Sequence, residues 1–134
     1  MTTTKDRMPW LESAVCAQTD LTLFFSDPCD TATTAKAKSV CRPCPVRADC
    51  LAWSIETASW AGVFGGFTED ERRLAARRHA RGVPLEVIIA GDDDVFRTRQ
   101  EAGRKHAADL RTARLARRRI QDRARKAAAR SAAA

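Results

Sequence analysis

The stretch CRPCPVRADC, residues 41–50, places Cys41, Cys44 and Cys50 at the spacing Cys-x2-Cys-x5-Cys. Two thiolates separated by two residues can face one inorganic centre from a single backbone turn, and Pro43 and Pro45 stiffen that turn by fixing φ. Pro45 also suits the first position of a helix, where its missing N–H costs nothing, so PVRADCLAWSIETAS (45–59) is expected to be helical. Val46, Cys50, Trp53 and Thr57 then share one face, which turns Cys50 back toward the two cysteines before the helix. Cys16 stands upstream as a fourth candidate ligand, with Cys29 between.

Outward from this stretch, residues 1–9 read as disordered. Trp10 to Phe25 read as a short helix followed by an apolar turn around Cys16. SDPCDTAT (26–33) is a loop by its Ser, Asp, Thr and Pro content, and a short helix should run from about Thr34 to Cys41. Gly62, Gly65 and Gly66 in AGVFGGF predict a tight turn that lifts Val63 and Phe64 to the surface. Thr68, with Glu71 three residues later, is a capping box that opens a helix stopped by Gly82. Pro84 to Ala90 reads as another short helix closed by Gly91, with Asp92, Asp93 and Asp94 capping a last one.

The fold class is therefore all-α. It is a small helical domain built around four cysteines, followed by a basic tail that is helical or disordered. The expected divisions are 1–9, 10–82, 83–94 (short helix and acidic linker) and 95–134. Charge supports the last of these. The formal charge of +7 splits as six cations against seven anions over 1–60, five against seven over 61–94, and thirteen against three over 95–134. Alanine and arginine dominate the tail, with Leu110, Leu115 and Ile120 too few for a packed coiled coil. Such asymmetry points to an anionic partner, nucleic acid ahead of membrane. Arg111, Arg114, Arg118 and Arg125 fall near one helical face, and Arg117, Arg119 and Arg123 widen it, making these seven the DNA-contact candidates.

No apolar run resembles a secretion signal or the roughly 20 residues of a membrane span. A cytoplasmic monomer is expected, and in a reducing compartment five cysteines are metal ligands or redox thiols rather than disulfides. Zinc sites of four cysteines are common, but zinc ribbons offer two Cys-x2-Cys pairs. Iron–sulfur clusters tolerate wider, uneven spacing. Spacing alone leaves the two open. A third possibility, a dithiol–disulfide oxidoreductase using Cys41 and Cys44, lacks the strand-rich context of that chemistry. No enzyme is expected. Cys29 reads as a free loop thiol, His79 and His106 as solvated, and Trp53 and Trp60 as packing residues.

Trp10, LFF at 23–25, CRPCPVRADC followed by LAW, GVFGG at 62–66 and TEDERR at 68–73 occur in one order. This arrangement resembles the WhiB-like (Wbl) regulators of actinobacteria and their phages, over about residues 10–78. The resemblance implies a [4Fe–4S] cluster on Cys16, Cys41, Cys44 and Cys50, reactive toward nitric oxide or oxygen. It also implies a partner, the C-terminal domain of the primary sigma factor, contacted through Trp10, Phe24, Phe25 and the turn Gly62, Val63, Phe64, Gly65 and Gly66. In one departure, Phe64 stands where the family has Trp, which reduces contact area and removes an N–H donor.

Overall fold

In the computed structural model, which describes residues 8–134, the chain is helical, and the described residues contain no strand beyond an isolated bridge between Phe64 and Phe67. Two units are distinguished, Met1–Asp93 and Asp94–Ala134. The expected disorder of 1–9 falls largely outside the described residues, while Pro9 already belongs to a 3-10 turn.

Trp10 to Phe25 form three consecutive 3-10 turns, Pro9–Ser13, Val15–Gln18 and Leu21–Phe25, in place of the expected helix. Ala14 and Thr19 interrupt the run with extended backbone, and Asp20 caps the third turn by accepting from the Thr22 N–H at 3.0 Å. Helix α1, Thr31–Cys41, begins three residues earlier than the sequence suggests. Asp30 explains the difference: its carboxylate accepts from the Thr33 N–H (3.0 Å) and hydroxyl (2.6 Å), satisfying a donor that would otherwise be orphaned. Those hydrogen bonds hold the Asp30 carboxyl below its usual value.

Helix α2, Arg47–Glu56, starts after a short turn in which the Cys44 N–H donates to Cys41 O at 3.1 Å. Helix α3, Glu69–Ala80, opens with the expected capping box. Thr68 N–H donates to Glu71 Oε2 (2.8 Å) and Glu71 N–H to Thr68 Oγ1 (3.4 Å). Glu71 also receives Lys38 Nζ of α1 at 2.6 Å. Burial pushes its carboxyl up, but the Lys38 and Thr68 donors outweigh that and leave it below its ordinary value. Gly82, at φ +96°, ends the segment. His79 Nδ1 lies 2.9 Å from the Val83 carbonyl oxygen.

Helix α4, Leu85–Ala132, corrects the expected short helix and acidic linker of 83–94. Gly91 lies within it, and Asp92 to Asp94 are helical residues rather than caps. A single glycine costs a helix about 1 kcal/mol relative to alanine. Long-range ion pairs hold the helix across it: Asp92 and Asp93 pair with Arg47 at 2.9 and 2.7 Å, and Arg42 lies 3.9 Å from Asp92. The tail is thus helical.

Two buried apolar groups organise the unit Met1–Asp93. Leu51, Phe67, Ala75, Leu85 and Ile88 join α2, α3 and the start of α4. Phe24, Ala37, Cys41 and Val63 join the third 3-10 turn, α1 and the glycine turn. Val63 and Phe67 are 8% and 5% exposed, so the AGVFGGF turn carries Val63 inward, against expectation, while Phe64 stays partly exposed as expected. The Val63 N–H donates to Phe24 O at 2.8 Å, which pulls the turn onto the 3-10 segment. Among the described residues, no helix is long and apolar enough to cross a membrane.

Candidate metal centre

Four thiols from four local structures line one cavity of about 250 Å³. Cys41 is the last residue of α1 and is buried; Cys44 follows in the turn. Cys50 lies one turn into α2, its N–H donating to Val46 O at 2.9 Å. Cys16 belongs to the 3-10 turn Val15–Gln18, which packs on α1. The x5 spacing works because Val46 and Cys50 share the inner face of α2, so one helical turn returns the third sulfur toward the first two. Cys29 is exposed in the Asp27–Asp30 turn and does not line the cavity.

The rest of the lining is almost wholly apolar, including Trp10, Leu21, Phe24, Phe25, Trp53 and Val63. Burial, together with the neighbouring Cys44, raises the Cys16 thiol above its ordinary value. Burial pushes Cys41 up to about 11 against an opposing hydrogen bond from the Gly66 N–H, and Cys50 up to about 12 against the Gly65 N–H. Thiols so displaced are mostly protonated at neutral pH while the cavity is empty of charge. They become thiolates when positive charge enters the cavity, as metal ligation provides. Among the described residues, no three His, Cys, Asp or Glu side chains are gathered as a single-ion site. An all-thiol donor set around a roomy apolar cavity suits a group of several atoms better than one ion.

Rings cover the same side. Trp10 meets Trp53 edge-on at 6.5 Å between centroids, Trp53 meets Phe64 at 5.8 Å, and Phe64 meets Phe25 at 6.0 Å. Phe25 and Leu21 remain 56% and 62% exposed, while Phe24 is buried beneath them. The structure therefore brings Trp10, Phe25 and Phe64 into one continuous surface and puts Phe24 behind it as support. Trp53, read from sequence as a packing residue, is the link between Trp10 and Phe64.

The glycine turn closes the cavity from one side. Gly65 has φ +59°, and a Cβ there would lie 3.0 Å from both the Arg47 carbonyl oxygen and Leu51 Cβ. The left-handed backbone alone costs a non-glycine residue about 1–2 kcal/mol, and the two neighbours belong to packed helix. Gly65→Ala is thus expected to destabilise the domain by roughly 2 kcal/mol or more, read as a lower urea midpoint at unchanged slope. An unchanged midpoint would show that the turn relaxes freely.

Sequence reasoning missed two arginines. Arg47 lines the cavity at 5% exposure, donates through Nε to Gly65 O at 2.7 Å, and lies over the Phe67 ring at 5.5 Å. Its place between Cys44 and Cys50 was the available signal. Arg72 is fully buried; its position in a charged helix gave none. In the other unit, Arg111, Arg114, Arg117, Arg118, Arg119, Arg123 and Arg125 are all exposed on α4.

Residues 10–74 match the family described as Transcription factor WhiB. Over 78 residues the chain is 47% identical to the transcriptional regulator WhiB1 of Mycobacterium tuberculosis, covering 55% of this chain and 92% of that one. The chain belongs to the WhiB-like family. It is also 44% identical over 70 residues to WhiB2 of Bifidobacterium longum, covering 52% of this chain and 69% of the relative. With WhiB of Streptomyces coelicolor it shares 41% over 68 residues, covering 51% and 76%. Family membership makes this WhiB-like chain a transcription regulator. The matched residues contain the four cavity cysteines and the glycine turn; α4 lies beyond them.

Proposed function

We propose that this WhiB-like chain is a redox- or nitric-oxide-responsive regulator in which Cys16, Cys41, Cys44 and Cys50 hold a [4Fe–4S] cluster. In this reading the surface of Trp10, Phe25 and Phe64 docks on the C-terminal domain of a primary sigma factor, and the exposed arginines of α4 hold promoter DNA. The observation that carries the proposal is the meeting of four thiols in one apolar cavity whose roof is the aromatic surface. When bound, a [4Fe–4S] group supplies one-electron chemistry and a target for nitric oxide or oxygen. The chain's own residues set its surroundings. Gly65 and Gly66 direct backbone N–H groups at the sulfurs of Cys50 and Cys41, which favours their thiolate forms. Trp10, Phe25, Trp53 and Phe64 give the cavity an apolar wall.

Because the ring surface and the thiols border the same cavity, damage to the metal centre would loosen the docking surface with it. Protein purified without oxygen is expected to be brown, with iron and sulfide in equal amounts and a visible band that nitric oxide or air bleaches. A colourless protein carrying one zinc per chain would replace this reading with a structural zinc module and remove the sensing mechanism.

A further inference from the structure

Arg72 of α3 has no solvent exposure, and among the described residues no carboxylate lies within ion-pair distance of it. A buried guanidinium ordinarily has such a partner. Here its place is taken by backbone. Nη1 donates to the carbonyl oxygens of Gly62 (2.5 Å) and Phe67 (2.6 Å), and Nη2 to those of Ser59 (3.0 Å), Trp60 and, more distantly, Ala61 (3.4 Å). The Arg72 Cζ also lies 5.0 Å from the centroid of the Phe64 ring.

One planar fork therefore gathers five carbonyls on both sides of the glycine turn and supports the ring at its centre. A lysine ammonium offers three donors from a single point and cannot span five separated acceptors in this way. Residues 59–61 are partly or fully exposed and carry no regular structure; Ser59 is tied back to Ser54 O (2.9 Å) and the Thr57 hydroxyl (2.9 Å), and Arg73 lies over the Trp60 ring, but the carbonyls of all three residues turn to Arg72. Phe64, in turn, is the ring that joins Trp53 to Phe25.

We propose that Arg72 is the positioning residue of the docking surface, holding residues 59–67 in the conformation that sets the Phe64 ring between Trp53 and Phe25. The identity of the docked partner rests on the function proposed above; the hold on the turn does not. Arg72 acts through backbone carbonyls and ring contact.

The test uses the full chain, purified anaerobically, as wild type, Arg72→Gln, Arg72→Lys, Phe64→Ala and the double variant Arg72→Gln/Phe64→Ala. Hydrogen exchange by mass spectrometry should show Arg72→Gln speeding exchange over 59–67 by about tenfold or more, with α1 and α2 little changed. Arg72→Lys should fall between Arg72→Gln and wild type. Affinity for the isolated sigma C-terminal domain should drop about tenfold in Arg72→Gln and no further in the double variant than in Phe64→Ala, because both changes remove the same placed ring. Unchanged exchange over 59–67, or additive losses in the double variant, would overturn the proposal. If Arg72→Gln does not fold, exchange in Arg72→Lys decides. If wild type itself does not bind the sigma domain, the partner assignment falls, and the exchange result alone judges Arg72.

Discussion

Cys50→Ser is expected to leave the protein without bound iron and to unfold its cysteine domain at a denaturant concentration well below that of wild type. Cys50 is held on the inner face of α2 by the helix itself, so a serine there presents a hydroxyl to the same cavity with no neighbouring thiol to replace it. Hydroxyl oxygen is a far weaker ligand than thiolate for this chemistry. The effect on stability should be large because the unit is small. Its buried apolar residues form two modest groups, and Cys41 and Cys16 themselves help to build one of them. A domain of this size needs a staple, and a group tied to four separate chain points supplies one. Iron and sulfide analysis with urea unfolding makes the measurement, and Cys29→Ser, an exposed loop change outside the cavity, is the control that should retain full iron. Full iron in Cys50→Ser would remove Cys50 from the ligand set.

Deleting residues 95–134 should abolish most salt-sensitive DNA binding while leaving sigma-domain binding intact. The deleted stretch carries thirteen cations against three anions. Seven phosphate contacts by its exposed arginines would give a slope of log affinity on log salt of about −6, so the full chain should lose roughly 10³–10⁴ in affinity between about 50 and 200 mM salt and the deletion variant far less. The ring surface and all four cavity cysteines lie in the unit Met1–Asp93, which keeps its own apolar core. Binding titrations at several salt concentrations would check both halves. Equal DNA affinity with and without the tail would refute the division of labour.

Much of this protein is legible in its residues and their spacing. The Cys-x2-Cys-x5-Cys spacing of Cys41, Cys44 and Cys50, the capping box of Thr68 and Glu71, the glycine stop at Gly82 and the segregation of positive charge to the tail are local properties. Short-range chemistry determines them: a proline fixes φ, a hydroxyl accepts from an amide three residues on, and a helix returns a side chain after one turn. The meeting of Cys16 with the other three thiols, by contrast, depends on how the 3-10 turns pack on α1. Spacing names Cys16 a candidate but does not place it.

Three features were decided by tertiary structure alone, each because a long-range partner outweighed a local preference. Asp92 and Asp93 read as helix caps, yet they meet Arg47, some 45 residues earlier, and the helix runs on through Gly91. The AGVFGGF turn reads as surface, yet Phe24 O and the buried core draw Val63 and Phe67 inward. Arg72 reads as one more charge on a polar helix, but five carbonyls from residues 59–67 surround it. Sequence by itself determined the cysteine spacing, the helical class and the charge division, since those follow from residue type and position. The tertiary structure decided which charges are buried and which face the turn presents, because these depend on contacts between segments far apart in the chain.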